Sequence, residues 1–169
     1  MNTTHKLHIF DMDGTILDSM PMWSTIASDY LDSYDIPHDD DVNKLIEAYT
    51  LENAAKYFIE LGLDKAIDDI IKDIYDFSFN KYKNEIPAKP DMAELLKKLH
   101  ETGETIILLS ASPVQCAVAA FKRLNILEYF DKLFSCQDFE TDKTVPETFI
   151  NVAASLGFKP EDAIVYEDA

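Results

Sequence analysis

Positive charge is scarce in this sequence: 15 lysines and arginines stand against 32 aspartates and glutamates, for a net charge of −17. A field of that sign repels polyanions, so nucleic acid is set aside as a partner. An anionic small molecule is still admissible if a local positive source meets it: a metal ion, a lysine or a helix N-terminus. Long apolar runs are missing too. None reaches the length of a membrane span, and no charged-then-apolar leader opens the chain, so no membrane association is expected and the default location is the cytoplasm. The two cysteines, Cys116 and Cys136, have neither CxxC spacing nor nearby histidines and read as free thiols without a metal role. Internal repeats and low-complexity tracts are absent.

What is present is a globular composition. Apolar residues make up 47% of 169, enough for one domain with a proper core, or for a core plus a small insert. Four short apolar runs read as strands: LHIF (7–10), TIILL (105–109), KLFSC (132–136) and AIVY (163–166). They do not alternate apolar with polar, which suits strands covered on both faces. Helix patterns lie between the later runs: PDMAELLKKLHETG, PVQCAVAAFKRL and PETFINVAASLG, each opening on proline. Strand alternating with helix implies a doubly wound parallel α/β sheet.

Residues 18–88 break this rhythm. They contain no convincing strand. PMWSTIASDYLDSY puts Trp23, Ile26, Ala27, Tyr30 and Leu31 on one helical stripe, DDDVNKLIEAYT makes a second helix, and a longer one carries Ile67, Ile70, Ile71 and Ile74. The block reads as an inserted all-helical domain, and the proline-rich EIPAKPD as its return linker. The expected division is therefore an α/β core at 1–17 and 89–169 and a helical insert at 18–88.

In open α/β sheets ligands bind beyond the carboxyl ends of the strands. Asp11 and Asp13 follow the first run. Ser110, Ala111 and Ser112 follow the second. Lys143 comes after the third across a loop, and Glu167 and Asp168 follow the fourth. Carboxylates crowded together repel unless a hard divalent cation sits between them, and oxygen-only ligands suggest Mg²⁺. The metal, Lys143 and the Ser110 hydroxyl could neutralise a phosphate, leaving one carboxylate to attack phosphorus and a second to move protons.

These residues resemble a known family. DMDGT, LLSAS, a lone lysine before PETF, and YEDA, in that order, resemble the four motifs of the haloacid dehalogenase-like superfamily. The helical insert after motif one resembles the cap of its first subgroup. The resemblance covers nearly the whole chain and implies a Mg²⁺-dependent phosphatase acting on a small phosphorylated metabolite. It makes Asp11 the nucleophile and Asp13 the acid–base group, which must switch protonation near neutral pH. Ser110, the Ala111 amide and Lys143 would hold phosphate, together with Gly14 and Thr15 of the first motif. Asp11, Asp13 (through its carbonyl), Glu167 and Asp168 would hold the metal.

Three departures stand out. Ala111 replaces the usual asparagine of motif two, as in some sugar-phosphate mutase-like members. Thr144 follows Lys143 where the family usually has proline. The chain also reads as truncated: it ends at Ala169, directly after motif four, which would leave the fourth strand an exposed edge. Bland roles compete for several residues: Gly14 and Thr15 as turn residues, Ser110 and Ser112 as N-caps of the next helix, Trp23 as core packing. The four histidines receive no role, and oligomeric state is left open. The rival activities are a β-phosphoglucomutase-like phosphotransferase, a receiver-type signalling module, disfavoured by the insert after the first strand, and a non-catalytic fragment that binds metal or a partner.

Overall fold

The computed structural model describes residues 5–139, 143 and 145–168. Four strands form one parallel sheet: β1 (Leu7–Phe10), β2 (Thr105–Ser110), β3 (Lys132–Ser135) and β4 (Ala163–Tyr166), in the order β3-β2-β1-β4. The expected α/β architecture is thus present. The order reverses at β1, which lies between β2 and β4. Such a reversal opens a crevice at the strand ends, and the residue after β1 stands in it.

Burial follows position in the sheet. β1 is buried throughout, and β2 from its second residue on. The outer strands are less covered, and Ile164 and Val165 of β4 are about 40% and 41% exposed. AIVY is therefore not covered on both faces, as its unbroken apolar run suggested; it lies at a sheet edge. On one face Leu7, Ile9, Ile107 and Leu109 form a core cluster with Val152 and Ala153 of helix α8 (Pro146–Ser155). Period-two alternation sends His8, Phe10, Ile106 and Leu108 to the other face. Helix α6 (Met92–Glu101) packs against β2 and α7 (Val114–Leu124) against β3.

The chain divides into two compact units: the α/β unit, from the first residues to Ser19 and from Ile86 onward, and a helical unit, Met20–Glu85. Within the α/β unit the outgoing and returning segments run side by side. Leu17 bridges to Ala88, Asp18 N–H donates to the Pro87 carbonyl at 2.9 Å, and Lys89 N–H donates to that of Ile16 at 2.8 Å.

The helical unit holds α1 (Met20–Trp23), α2 (Ile26–Asp32), α3 (Val42–Ile46), α4 (Leu51–Glu60) and α5 (Ile67–Asn84). The single stripe expected over PMWSTIASDYLDSY is broken between Trp23 and Ile26. There the Ser24 and Thr25 hydroxyls donate to the Pro21 carbonyl at 2.8 and 3.3 Å, competing with the helix ladder. Helix α4 goes beyond the sequence reading; its start is set by Thr50, whose hydroxyl accepts from Asn53 N–H at 3.2 Å. The core of this unit joins Tyr30, Leu31, Val42, Ala54, Ala55, Phe58, Leu63 and Ile70.

Candidate active site

The site starts where β1 stops. Asp11 N–H donates to the Tyr166 carbonyl at 2.9 Å, extending the β1–β4 ladder one residue beyond the strand. This carries the Asp11 side chain into the crevice, where it is only 6% exposed. Lys143 Nζ donates to Asp11 Oδ1, and reaches Glu167 Oε1 at 2.9 Å. Burial pushes the Asp11 carboxyl up to about 6; its hydrogen bond and ion pair with Lys143 pull the other way, while the Glu167 charge adds to the rise. Burial also works against the Lys143 charge, but Asp11 and Glu167 outweigh it and leave its pKa raised.

Asp11, Glu167 and Asp168 form a cluster in which one carboxylate oxygen from each lies within 4.8 Å of the others. Gly14 makes room for it. Its φ of +79° belongs to the left-handed region, and a Cβ there would overlap the Asp168 carboxylate. Three carboxylates, oxygen donors only, fit a hard divalent cation such as Mg²⁺.

Asp13 is turned elsewhere. Ser19 Oγ donates to its Oδ1 at 2.6 Å and Ser112 Oγ to its Oδ2 at 2.7 Å. Its carboxylate is not part of the three-acid cluster. Neither serine hydroxyl had been assigned to Asp13 from sequence. Ser112, expected at most as a helix cap, gives its hydroxyl to Asp13 instead; Pro113 is the N-cap residue of α7 and makes no side-chain cap bond. Ser19 is fully buried. Ser110 is buried as well, and its Oγ accepts from Ser112 N–H at 3.0 Å, which leaves its own O–H available to donate. Thr15 Oγ1 is buried without a hydrogen-bond partner among the described residues.

A cavity of about 860 Å³ opens in the α/β unit. Its lining includes the charged residues Asp11, Lys143, Glu167 and Asp168 and the apolar residues Ala111, Phe149, Ile150 and Val165. Gly14, Thr15 and Ser110 are not among its lining residues. Trp23 lies in the helical unit, where its Nε1 donates to Tyr82 Oη at 3.1 Å. Among the described residues no helix is long and apolar enough to cross a membrane.

A parallel sheet that delivers acids, a lysine and a hydroxyl to its carboxyl edge defines an α/β protein equipped to hold an anion beside a cation. The chain belongs to the haloacid dehalogenase-like hydrolase family, whose profile matches residues 8–169. It is an enzyme of the family's phosphatase kind. A curated relative, the phosphorylated carbohydrates phosphatase of Thermotoga maritima, is 23% identical over 162 residues, 95% of this chain and 75% of the relative. A solved structure from the same organism, provisionally assigned as a β-phosphoglucomutase, superposes with a TM-score of 0.81 at 22% identity, covering 95% of this chain and 74% of the other. The hydrolase YfnB of Bacillus subtilis, solved with bound magnesium, gives 0.75 at 14% identity over 96% and 79%.

Proposed function

We propose that the chain hydrolyses a small phosphate monoester, a sugar phosphate or a similar metabolite, through a phosphorylated Asp11. The observation that carries this reading is the buried Asp11 carboxylate, paired with Lys143 and clustered with Glu167 and Asp168 in the lining of a cavity. An Asp11 oxygen attacks phosphorus, and the bond from phosphorus to the leaving oxygen breaks as Asp13 supplies that oxygen with a proton. Asp13 then takes a proton from water, which attacks the acyl phosphate, releasing phosphate and restoring Asp11. The Ser110 hydroxyl, the Ala111 amide and Lys143 hold the non-bridging oxygens, with Gly14 and Thr15 shaping the turn beside them. Mg²⁺ would be held by Asp11, the Asp13 carbonyl, Glu167 and Asp168, and would supply charge neutralisation at the phosphate. Ser19 and Ser112 fix the orientation of Asp13. A relative named for phosphorylated carbohydrates supports the choice of sugar phosphates.

The test is turnover of p-nitrophenyl phosphate and a panel of hexose phosphates with Mg²⁺. Asp11→Asn is expected to abolish it; intact turnover in that variant would remove Asp11 as nucleophile. Ala111, standing where the family usually has asparagine, favours a second reading as a sugar-phosphate mutase. Product analysis with a hexose 1-phosphate separates the two: free phosphate marks the hydrolase, an isomeric hexose phosphate the mutase.

A further inference from the structure

We infer that Tyr166 is a positioning residue that sets the distance between Asp11 and the acid pair Glu167–Asp168. This rests on the reading of those acids as metal ligands and extends it to a side chain that reaches neither metal nor substrate.

Three contacts meet at Tyr166. Its carbonyl accepts the Asp11 N–H at 2.9 Å, so the backbone of the nucleophile is registered directly on this residue. Its ring lies on that of Phe10, its cross-strand neighbour, with centroids 4.1 Å apart and planes within 4°. Its hydroxyl shares a hydrogen bond of 2.9 Å with His8 Nδ1. Phe10 immediately precedes Asp11, and Tyr166 immediately precedes Glu167. The stack therefore clamps the last residue of one strand to the last residue of the next, one step before each delivers its acid.

β4 needs such a clamp because it is the less secured of the two strands. Among the described residues it pairs with β1, and Ile164 and Val165 are substantially exposed, whereas β1 is buried and paired on both sides. A four-residue edge strand frays more readily than a central one. Any shift along β4 would move Glu167 and Asp168 together relative to Asp11 and loosen the cluster they form with it. Flat stacking resists sliding along the strands and adds to what area burial alone contributes.

His8 supplies the second restraint. It is 5% exposed, and burial lowers its pKa, an effect that His5 reinforces and Glu104 partly offsets. A neutral imidazole can take either role in the bond to Tyr166. The histidine without a sequence-based role is thus part of the anchor for the strand that carries the metal-side acids.

The experiment compares Tyr166→Leu and Tyr166→Phe with the unsubstituted chain. Mg²⁺ binding to metal-free protein is measured by calorimetry well below the unfolding temperature, alongside kcat and KM for p-nitrophenyl phosphate. Tyr166→Leu, which loses the flat stack, is expected to bind Mg²⁺ about five- to tenfold more weakly while KM for the ester at saturating Mg²⁺ stays within twofold. Tyr166→Phe keeps the stack and loses the bond to His8, so it is expected to weaken Mg²⁺ binding less than Tyr166→Leu, by about two- to threefold. A purely structural role would lower the melting temperature of Tyr166→Leu without moving its metal affinity, and that result overturns the inference. Should Tyr166→Leu fail to fold, Tyr166→Met fills similar volume without a plane and carries the same expectation. If the unsubstituted chain binds no Mg²⁺, the metal reading falls and this one with it. If it binds and the non-aromatic variant binds equally, only the positioning role falls.

Discussion

Asp11 shows how the site is held at a cost. Its pKa rises from 3.8 to about 6 on folding, chiefly through burial. Between those values the folded chain keeps a proton that the unfolded chain has released, so the group's contribution to stability is greatest in acid and is lost as pH rises through that window. At neutral pH the ionised carboxylate therefore strains the metal-free fold. Asp11→Asn removes the charge while Lys143 retains Glu167. Its metal-free melting temperature is expected to exceed that of the unsubstituted chain by roughly 2–4 °C at pH 7.5, and the gain should shrink to a fraction of that near pH 4.5, where the folded Asp11 is protonated. Thermal scans with chelator at the two pH values check this; equal melting temperatures at pH 7.5 would refute the strain. The hydroxyls on Asp13 make a separate prediction. Each fixes one oxygen of the Asp13 carboxyl, and losing such a bond costs on the order of 1–2 kcal/mol, so Ser112→Ala and Ser19→Ala should each lower kcat about tenfold, with KM little changed. A rise in KM alone would instead mean that the serines bind substrate.

At the scale of elements, legibility tracked the range of the interaction. The four strands could be read because each is a short, mainly apolar run, and Asp11, Glu167 and Asp168 because they lie just past the end of one. Lys143 was reached by its place between the third strand and the next helix. Ser19 and Ser112 were not legible as partners of Asp13: one lies six residues away and the other 99, and no periodicity links a hydroxyl to an acid across such gaps. The break between α1 and α2 was hidden for a similar reason, since an apolar stripe continues across it. What starts α2 is remote in sequence. Thr25 makes no side-chain cap bond; instead Asn43 of α3 accepts the Ala27 and Ser28 amides, both at 3.1 Å, and donates to Ser28 Oγ at 2.8 Å. Asn43→Ala leaves those amides without their acceptor and is expected to cost the helical unit about 1–3 kcal/mol. Asn43→Asp keeps the acceptor and adds a favourable charge at a helix start, so it should recover most of the loss. Urea titrations followed by circular dichroism separate the two; equal losses would show that the amides find another acceptor.

At the scale of the whole molecule, the net charge of −17 sets two opposing effects on the proposed reaction. The field concentrates a divalent cation around the chain and repels a phosphate ester. Among the described residues Lys143 is the cation in the cavity lining, already shared between Asp11 and Glu167. Screening should therefore act on metal and substrate with opposite sign. The Debye length shrinks from roughly 20 Å at about 20 mM ionic strength to about 8 Å at 150 mM. Over that range the repulsion of the ester weakens, so its KM at saturating Mg²⁺ is expected to fall about two- to fivefold. The attraction of the cation weakens too, so the half-saturating Mg²⁺ concentration is expected to rise by a similar factor. The kcat should stay nearly constant, because the bound groups lie well inside a Debye length of one another. Steady-state kinetics across a KCl series measures all three. A KM that rises with salt would mean that attraction to Lys143, and not repulsion by the acidic surface, governs how the substrate arrives.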